Sequence, residues 1–336
     1  MEIGIIGLPK SGKTTLFHAL TRKGGETKTA MNIGVAKVPD PRLRRLEEIF
    51  KPKRTIPAEV RYVDAAPKGF SRDGVVASEL SPADALIQVI RAFEDDRVPH
   101  PEGSVDPERD LSTLNLELAF SDLAIIEHRL GRIEVALKGA RQQERELIHR
   151  EKALLERIKD ELEHDTPLRE QTLSEEEMKV IESYQFLTAK PQLIVLNIGE
   201  DRLGDADSLE EEWRARYSRP RLEVAVLSAE IDEELAELSE EDAGEFRSAM
   251  GLRGAGSERI IRLSYSLLGL ISFFTVVSQE VKAWTIHKGT TAPRAAGKVH
   301  SDMERGFIRA EVIRFDDLVK CGSIAEGRKR GLLRSE

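Results

Sequence analysis

The stretch IGIIGLPKSGKTTLF, residues 3–17, decides how the rest of the chain is read. An apolar run at residues 3–6 enters GLPKSGKT, which is G-x-x-x-x-G-K-T, and Leu16, Phe17 and Leu20 then follow at helical spacing. Strand, glycine-bounded loop and helix in this order make a phosphate cradle. Backbone N–H groups turn inward between the glycines, the lysine reaches the β- and γ-phosphates, and the hydroxyl after it ligates Mg²⁺. The helix N-terminus adds its partial positive charge at the same point. Gly7, Pro9, Lys10, Ser11, Gly12, Lys13, Thr14 and Thr15 are therefore expected around the phosphates, with Lys13 and Thr14 acting on them and Thr14 also on the metal.

Working outward, residues 59–63 read as a strand ending at Asp64, where a carboxylate can hold Mg²⁺ through water. Residues 84–93 include Leu86, Ile87, Val89 and Ile90, the mark of a strand covered on both faces in a parallel sheet. Two later strands, at 193–196 and 223–227, run into NIGE (197–200) and SAE (228–230). In an open α/β sheet ligands sit at the carboxyl ends of the strands. Asn197, Ile198, Glu200, Ser228, Ala229 and Glu230 are thus the candidates for recognising a base.

About a hundred residues separate the second and third of these strands. Leu123, Ile126, Leu130, Ile133 and Leu137 form a heptad seam there, Gly139 interrupts it, and Leu147, Leu154, Ile158 and Leu162 resume it. The expectation is an antiparallel helical hairpin, a coiled-coil arm inserted into the nucleotide fold. Ser174 to Glu177 has the form of a capping box opening a further helix. From residue 267 the composition shifts towards Phe273, Phe274, Val276 and Val277, with alternation through Trp284, Thr285 and Ile286, which reads as a small α+β domain.

Composition sets the limits. A chain of 336 residues exceeds one ordinary core, and 40% hydrophobic, 33% charged and 5% aromatic residues fit long solvated helices better than an aromatic-rich sandwich. A single cysteine, Cys321, leaves no internal disulfide, and no run approaches a membrane span, so a cytoplasmic chain without membrane contact is expected. The net charge of −9 argues against generic nucleic-acid binding. From residue 282 onward, however, 12 Lys and Arg face 7 Asp and Glu, a net of +5 that leaves −14 for the remainder. Such a basic end is either a contact for phosphate backbone or a solvated face.

GLPKSGKTTLFHALT (7–21), VPDPRL (38–43), RAFEDD (91–96), VDPERD (105–110), FLTAKP (186–191), NIGE and AWTIHKGTTAPRAAGKVHSDMERGFIRAEVI (283–313) together resemble the YchF or Obg-like ATPase family over nearly the whole chain. The resemblance implies an α/β fold: a P-loop domain with a parallel-type sheet (1–110 and 186–266), an inserted coiled-coil arm (111–185) and a β-grasp-like TGS domain (267–336) whose last strand segment would lie beyond Glu336. It also implies ATP and ADP as ligands with Mg²⁺ as cofactor, ATP preferred over GTP, hydrolysis, and a ribosome or rRNA partner. It says nothing of oligomeric state.

The base preference has a physical reading. A GTPase places an aspartate at the fourth position of N-K-x-D to accept from guanine, and here that position is Glu200, one methylene longer. Asn197 can still serve the N6 and N7 groups of adenine, and Ile198 replaces the lysine that packs over the base. Two loops depart from the resemblance. The glycine expected after the strand-end aspartate is Pro67, which has no N–H to give, and the metal-binding threonine position falls on Lys28, with Thr27 or Thr29 as substitutes. Slow hydrolysis is the expectation, with a non-hydrolysing nucleotide switch or scaffold and a GTPase as the open alternatives.

Overall fold

The computed structural model describes residues 1–22, 26–28, 31–65, 79–139, 141–252, 254–277 and 279–336. The chain divides into two compact units, one of Met1–Val35 with Arg61–Ile260, the other of Ala36–Val60 with Ile261–Glu336.

The first unit is built on a seven-stranded sheet ordered β2-β3-β5-β1-β6-β7-β8. Its strands are β1 (Glu2–Ile6), β2 (Glu26–Lys28), β3 (Met31–Lys37), β5 (Glu59–Ala65), β6 (Ala85–Ala92), β7 (Gln192–Ile198) and β8 (Leu222–Leu227). β5, β1, β6, β7 and β8 run parallel, while β2 and β3 form an antiparallel ribbon at one edge. Every residue of β6 and of β7 is buried, as the unbroken apolar runs require of strands covered on both faces. Consecutive parallel strands pair on opposite sides of β1, so the chain reverses direction across the sheet at the strand that feeds the phosphate loop. Helix α1 (Lys13–Thr21) starts directly from that loop.

The insert is two long helices, α3 (Pro107–Gly139) and α4 (Gln142–Glu163), following the short α2 (Pro41–Phe50). Leu111 and Leu114, near the start of α3, pack into the sheet core with Ile194, Leu196 and Trp213. Farther along, Ile126 and Ile133 close a separate core with Leu154, Leu155, Ile158 and Leu162 of α4. One continuous helix thus belongs to the sheet at its root and to the hairpin beyond it. Antiparallel pairing is fixed across the seam by Arg129–Glu151 (2.8 Å) and Lys159–Glu127 (2.9 Å). The seam differs from expectation at one residue. Leu147 is 66% exposed, and Ile148 turns inward in its place because a new helix starts at Gln142 and sets its own phase.

Asp122 of α3 is buried and ties the hairpin to its return segment. It accepts from Leu187 N (2.8 Å), Thr188 N (2.8 Å) and Thr188 Oγ1 (2.6 Å). The capping box at Ser174 forms as read, opening helix α5 (Glu175–Ile181). The first unit is completed by α6 (Ala206–Arg216), α7 (Ala229–Glu237) and α8 (Glu240–Ala249).

In the second unit β9 (Leu270–Val277), preceded in the chain by helix α9 (Gly256–Leu267), pairs antiparallel with β10 (Glu280–His287). β4 (Arg54–Ile56) adds to β10 in parallel, and Arg42 of α2 lies 5.0 Å over the Phe274 ring. Residues 36–60, kept with the phosphate-loop half by the sequence reading, therefore cluster with the C-terminal strands, because β4 finds its ladder partner there. Short helices and a two-stranded pairing of Glu311–Val312 with Arg334–Ser335 follow. No helix among the described residues is long and apolar enough to cross a membrane.

Candidate nucleotide site

The phosphate loop takes its shape from two left-handed residues, Lys10 (φ 64°) and Gly12 (φ 90°). Only glycine fits the second. A Cβ on Gly12 would stand 2.2 Å from Asn197 Nδ2, so the residue is held open by both its φ and its neighbour. Ser11 N donates to Leu8 O (3.3 Å) and Leu16 N to Gly12 O (2.9 Å), closing the turn and starting α1.

Lys13 is 8% exposed and donates from Nζ to Gly7 O and Leu8 O, both at 2.9 Å. An ammonium has three protons, so one is left to meet a phosphate oxygen. Burial pulls its pKa below the ordinary lysine value, and the Asp64 carboxylate offsets part of that. Thr14 Oγ1 donates to Asp64 Oδ2 (2.9 Å), and Asn32 Nδ2 reaches the same oxygen (3.3 Å). Asp64 is 1% exposed, and its Oδ1 has no partner among the described residues. A buried carboxylate with one oxygen unsatisfied beside a threonine hydroxyl suits a hard, oxygen-seeking cation.

On the other side of the loop, Asn197 at the end of β7 donates from Nδ2 to Ser11 O (3.0 Å) and accepts at Oδ1 from Ala229 N (2.9 Å). One amide thus joins the phosphate loop, β7 and the start of α7.

Comparison with known proteins adds to this geometry. A Bacillus subtilis protein named ribosome-binding ATPase YchF is 38% identical over the whole of this chain and 94% of its own length. The Shigella flexneri protein of the same name is 37% identical with the same coverage. The solved structure of the Schizosaccharomyces pombe YchF GTPase matches with a TM-score of 0.86 at 31% identity, covering 100% of this chain and 93% of that one. The chain belongs to the YchF family. A family model, YchF-GTPase_C, described as a protein of unknown function (DUF933), matches residues 270–336.

Within this chain the candidate residues do not all converge. Gly7, Ser11, Gly12, Lys13, Thr14, Asp64, Asn197, Ser228 and Ala229 gather around the loop, with Ser228 and Ala229 buried at the start of α7. Pro9, Lys10, Glu200 and Glu230 are exposed, and Thr15 is half-buried on α1. Lys10 Nζ reaches Pro99 O (3.3 Å). Two expectations change. Ile198, read as replacing a lysine over the base, is 1% exposed and packs with Leu114, Leu196 and Trp213. Neighbouring residues of a strand point to opposite faces, so with Asn197 aimed at the loop Ile198 must enter the core. Asn197, read as facing adenine, has both ends of its amide engaged by the protein.

The sequence reading missed several residues. Arg91 is 1% exposed at the end of β6, pairs in register with Asn197, and holds its guanidinium 4.4 Å over the Phe93 ring. Its Nε donates to Phe93 O (3.0 Å), and its Nη1 has no partner among the described residues. An arginine inside an apolar strand run is the signal that could have found it. Asn32, on Asp64, had no signal of its own. In the loop after β6, His100 Nε2 lies 2.8 Å from Asp110 Oδ2, and Arg109 Nη2 lies 2.8 Å from Asp110 Oδ1. His100 and Asp110 are buried and Arg109 half-buried, and together they fix the segment touched by Lys10. Pro67 and Thr29 lie outside the described residues, as do the side chains of Thr27 and Lys28.

Proposed function

We propose that this chain binds ATP and Mg²⁺ at the phosphate loop, hydrolyses ATP slowly, and associates with the ribosome. The observation that carries the reading is the arrangement of Lys13, Thr14 and Asp64: an ammonium with a free proton, and a hydroxyl 2.9 Å from a buried carboxylate with one unsatisfied oxygen. The names of the relatives, ribosome-binding ATPases, support the substrate and the partner.

Backbone N–H groups of residues 7–14 hold the phosphates, Lys13 meets the β,γ side, and Asn197 keeps the loop braced against α7. Thr14 and Asp64 would hold Mg²⁺, which neutralises charge on the transferred phosphoryl group. The base rests near residues 197–200 and 228–230. Glu200, longer than the aspartate a guanine site uses, favours ATP over GTP. Among the described residues no side chain in the site is a general base, so the rate rests on positioning, and slow turnover follows.

The test is single-turnover hydrolysis of ATP with and without ribosomes, followed by co-sedimentation over a salt series. Slow hydrolysis and nucleotide-dependent co-sedimentation that weakens with salt are expected. Binding of ATP with no hydrolysis in either condition would favour the non-hydrolysing switch, and faster turnover of GTP would favour the GTPase that the S. pombe relative is named as.

A further inference from the structure

A cavity of about 430 Å³ lies in the first unit at the root of the hairpin, against the amino-terminal ends of β7 and β8. The nucleotide motifs sit at the carboxyl ends of the same strands, so this is a separate place. Its lining includes Asn115 of α3, Arg169, Ile194, Tyr217, Arg219 and Leu222. The volume is that of a small-molecule site.

Its polar groups are the unusual part. The Arg169 side chain is 4% exposed, its Nε has no hydrogen-bond partner among the described residues, and its Nη2 lies 3.5 Å from Glu170 Oε1. Arg219 Nε stands 3.7 Å from the other oxygen of the same carboxylate, so one glutamate is shared by two guanidiniums. Arg221 stands close enough to repel the Arg169 charge, and burial holds the pKa of Arg169 down to about 10. Asp165 is the other carboxylate of the lining, so Arg169 and Arg219 face two acids there, with Arg221 nearby but outside the lining. Asn115 accepts at Oδ1 from Gln88 Nε2 (3.0 Å), so its own N–H groups are the donors left over. Gln88 is paired in register with Ile194, and Gln192 shares the Ile194 face. Both are 0% exposed, and neither Gln88 Oε1 nor either amide atom of Gln192 has a partner among the described residues. A buried guanidinium short of acceptors is a costly arrangement unless something supplies them.

We propose that this cavity is a binding site for a small phosphate monoester with an aromatic or apolar body. The phosphate meets Arg169 and Arg219, whose forked donors match its oxygens. The body lies on Tyr217, Ile194 and Leu222. Because the cavity joins the hairpin root to the sheet, its ligand holds those two elements together.

Phenyl phosphate is the probe, added to protein saturated with ADP so that the phosphate loop is taken. Trp213 packs on Tyr217, with ring centroids 5.0 Å apart, and reports occupancy once Trp284→Phe removes the chain's other tryptophan. A saturable change in Trp213 fluorescence is expected without release of ADP. Arg169→Gln should weaken it by about tenfold or more, the worth of charge-assisted hydrogen bonds, and inorganic phosphate should bind more weakly than phenyl phosphate. Arg219→Gln, at a side chain 54% exposed and so harmless to the core, should weaken it several-fold and serves if Arg169→Gln fails to fold. No saturable response in wild type, or equal affinity in the folded variants, would overturn the proposal.

Discussion

Lys13 and Asn197 carry different parts of the site, and their substitution should separate them. Lys13→Ala removes a charge-assisted contact to phosphate, roughly 3 kcal/mol or about a hundredfold in Kd, with little effect on folding. Asn197→Ala strands Ser11 O and Ala229 N in the interior and should lower stability by about 2–4 kcal/mol in urea unfolding, as well as loosening nucleotide. Equal stability in that variant would show the brace to be incidental. Ile198→Lys, which on sequence grounds restores a GTPase residue, instead places an ammonium in the core beside Trp213 and should cost about 3–5 kcal/mol. Glu200→Asp alone is the cleaner test of base choice, since Glu200 is exposed, and it should raise affinity for GTP relative to ATP. The phosphate loop was legible because its chemistry is local: glycine at a left-handed position, lysine, threonine. Which face of β7 looks at the loop was not, because NIGE gives the residues without their phase.

At the scale of elements, the hairpin was legible from heptad spacing, and only Leu147 was misplaced, since a seam read through a turn carries no phase across it. What spacing could not show is the anchor. Asp122, pushed up to about 6, owes the shift first to burial, with the Thr188 and Leu187 donors pulling the other way. Asp232, pushed up to about 6 by burial beside Gly256 N and Ser257 N, behaves alike. A raised carboxyl pKa means that the folded state binds more protons than the unfolded chain between about pH 4 and pH 6. These groups therefore favour folding below about pH 4 and lose that contribution as pH rises through 6, on the order of 2–3 kcal/mol each. Asp122→Asn should flatten the slope of stability against pH across this window. An unchanged slope would mean that the three donors, not burial, govern the group. Replacing fully buried Ile133 with alanine should cost about 2–4 kcal/mol, read by chemical unfolding.

The whole molecule pairs a parallel-sheet nucleotide unit, carrying a helical arm, with a C-terminal unit, and the order of sequence motifs predicted that pairing better than it predicted the boundaries. Residues 36–60 illustrate why: their partner β10 lies more than two hundred residues away, and strand pairing at that separation leaves no local trace. If the basic end contacts ribosomal phosphates, reversing the charges of Arg328, Lys329 and Arg330 should reduce co-sedimentation and flatten its salt dependence while leaving ATP affinity intact. Removal of residues 123–162 should do the same if the arm is the contact. The central claim, that the phosphate loop is an ATP site, is tested most directly by calorimetric titration of wild type and Lys13→Ala with ATP and GTP in the presence of Mg²⁺. One site is expected, tighter for ATP than for GTP, and weakened about a hundredfold by the substitution; equal affinity of the two proteins for ATP would contradict this.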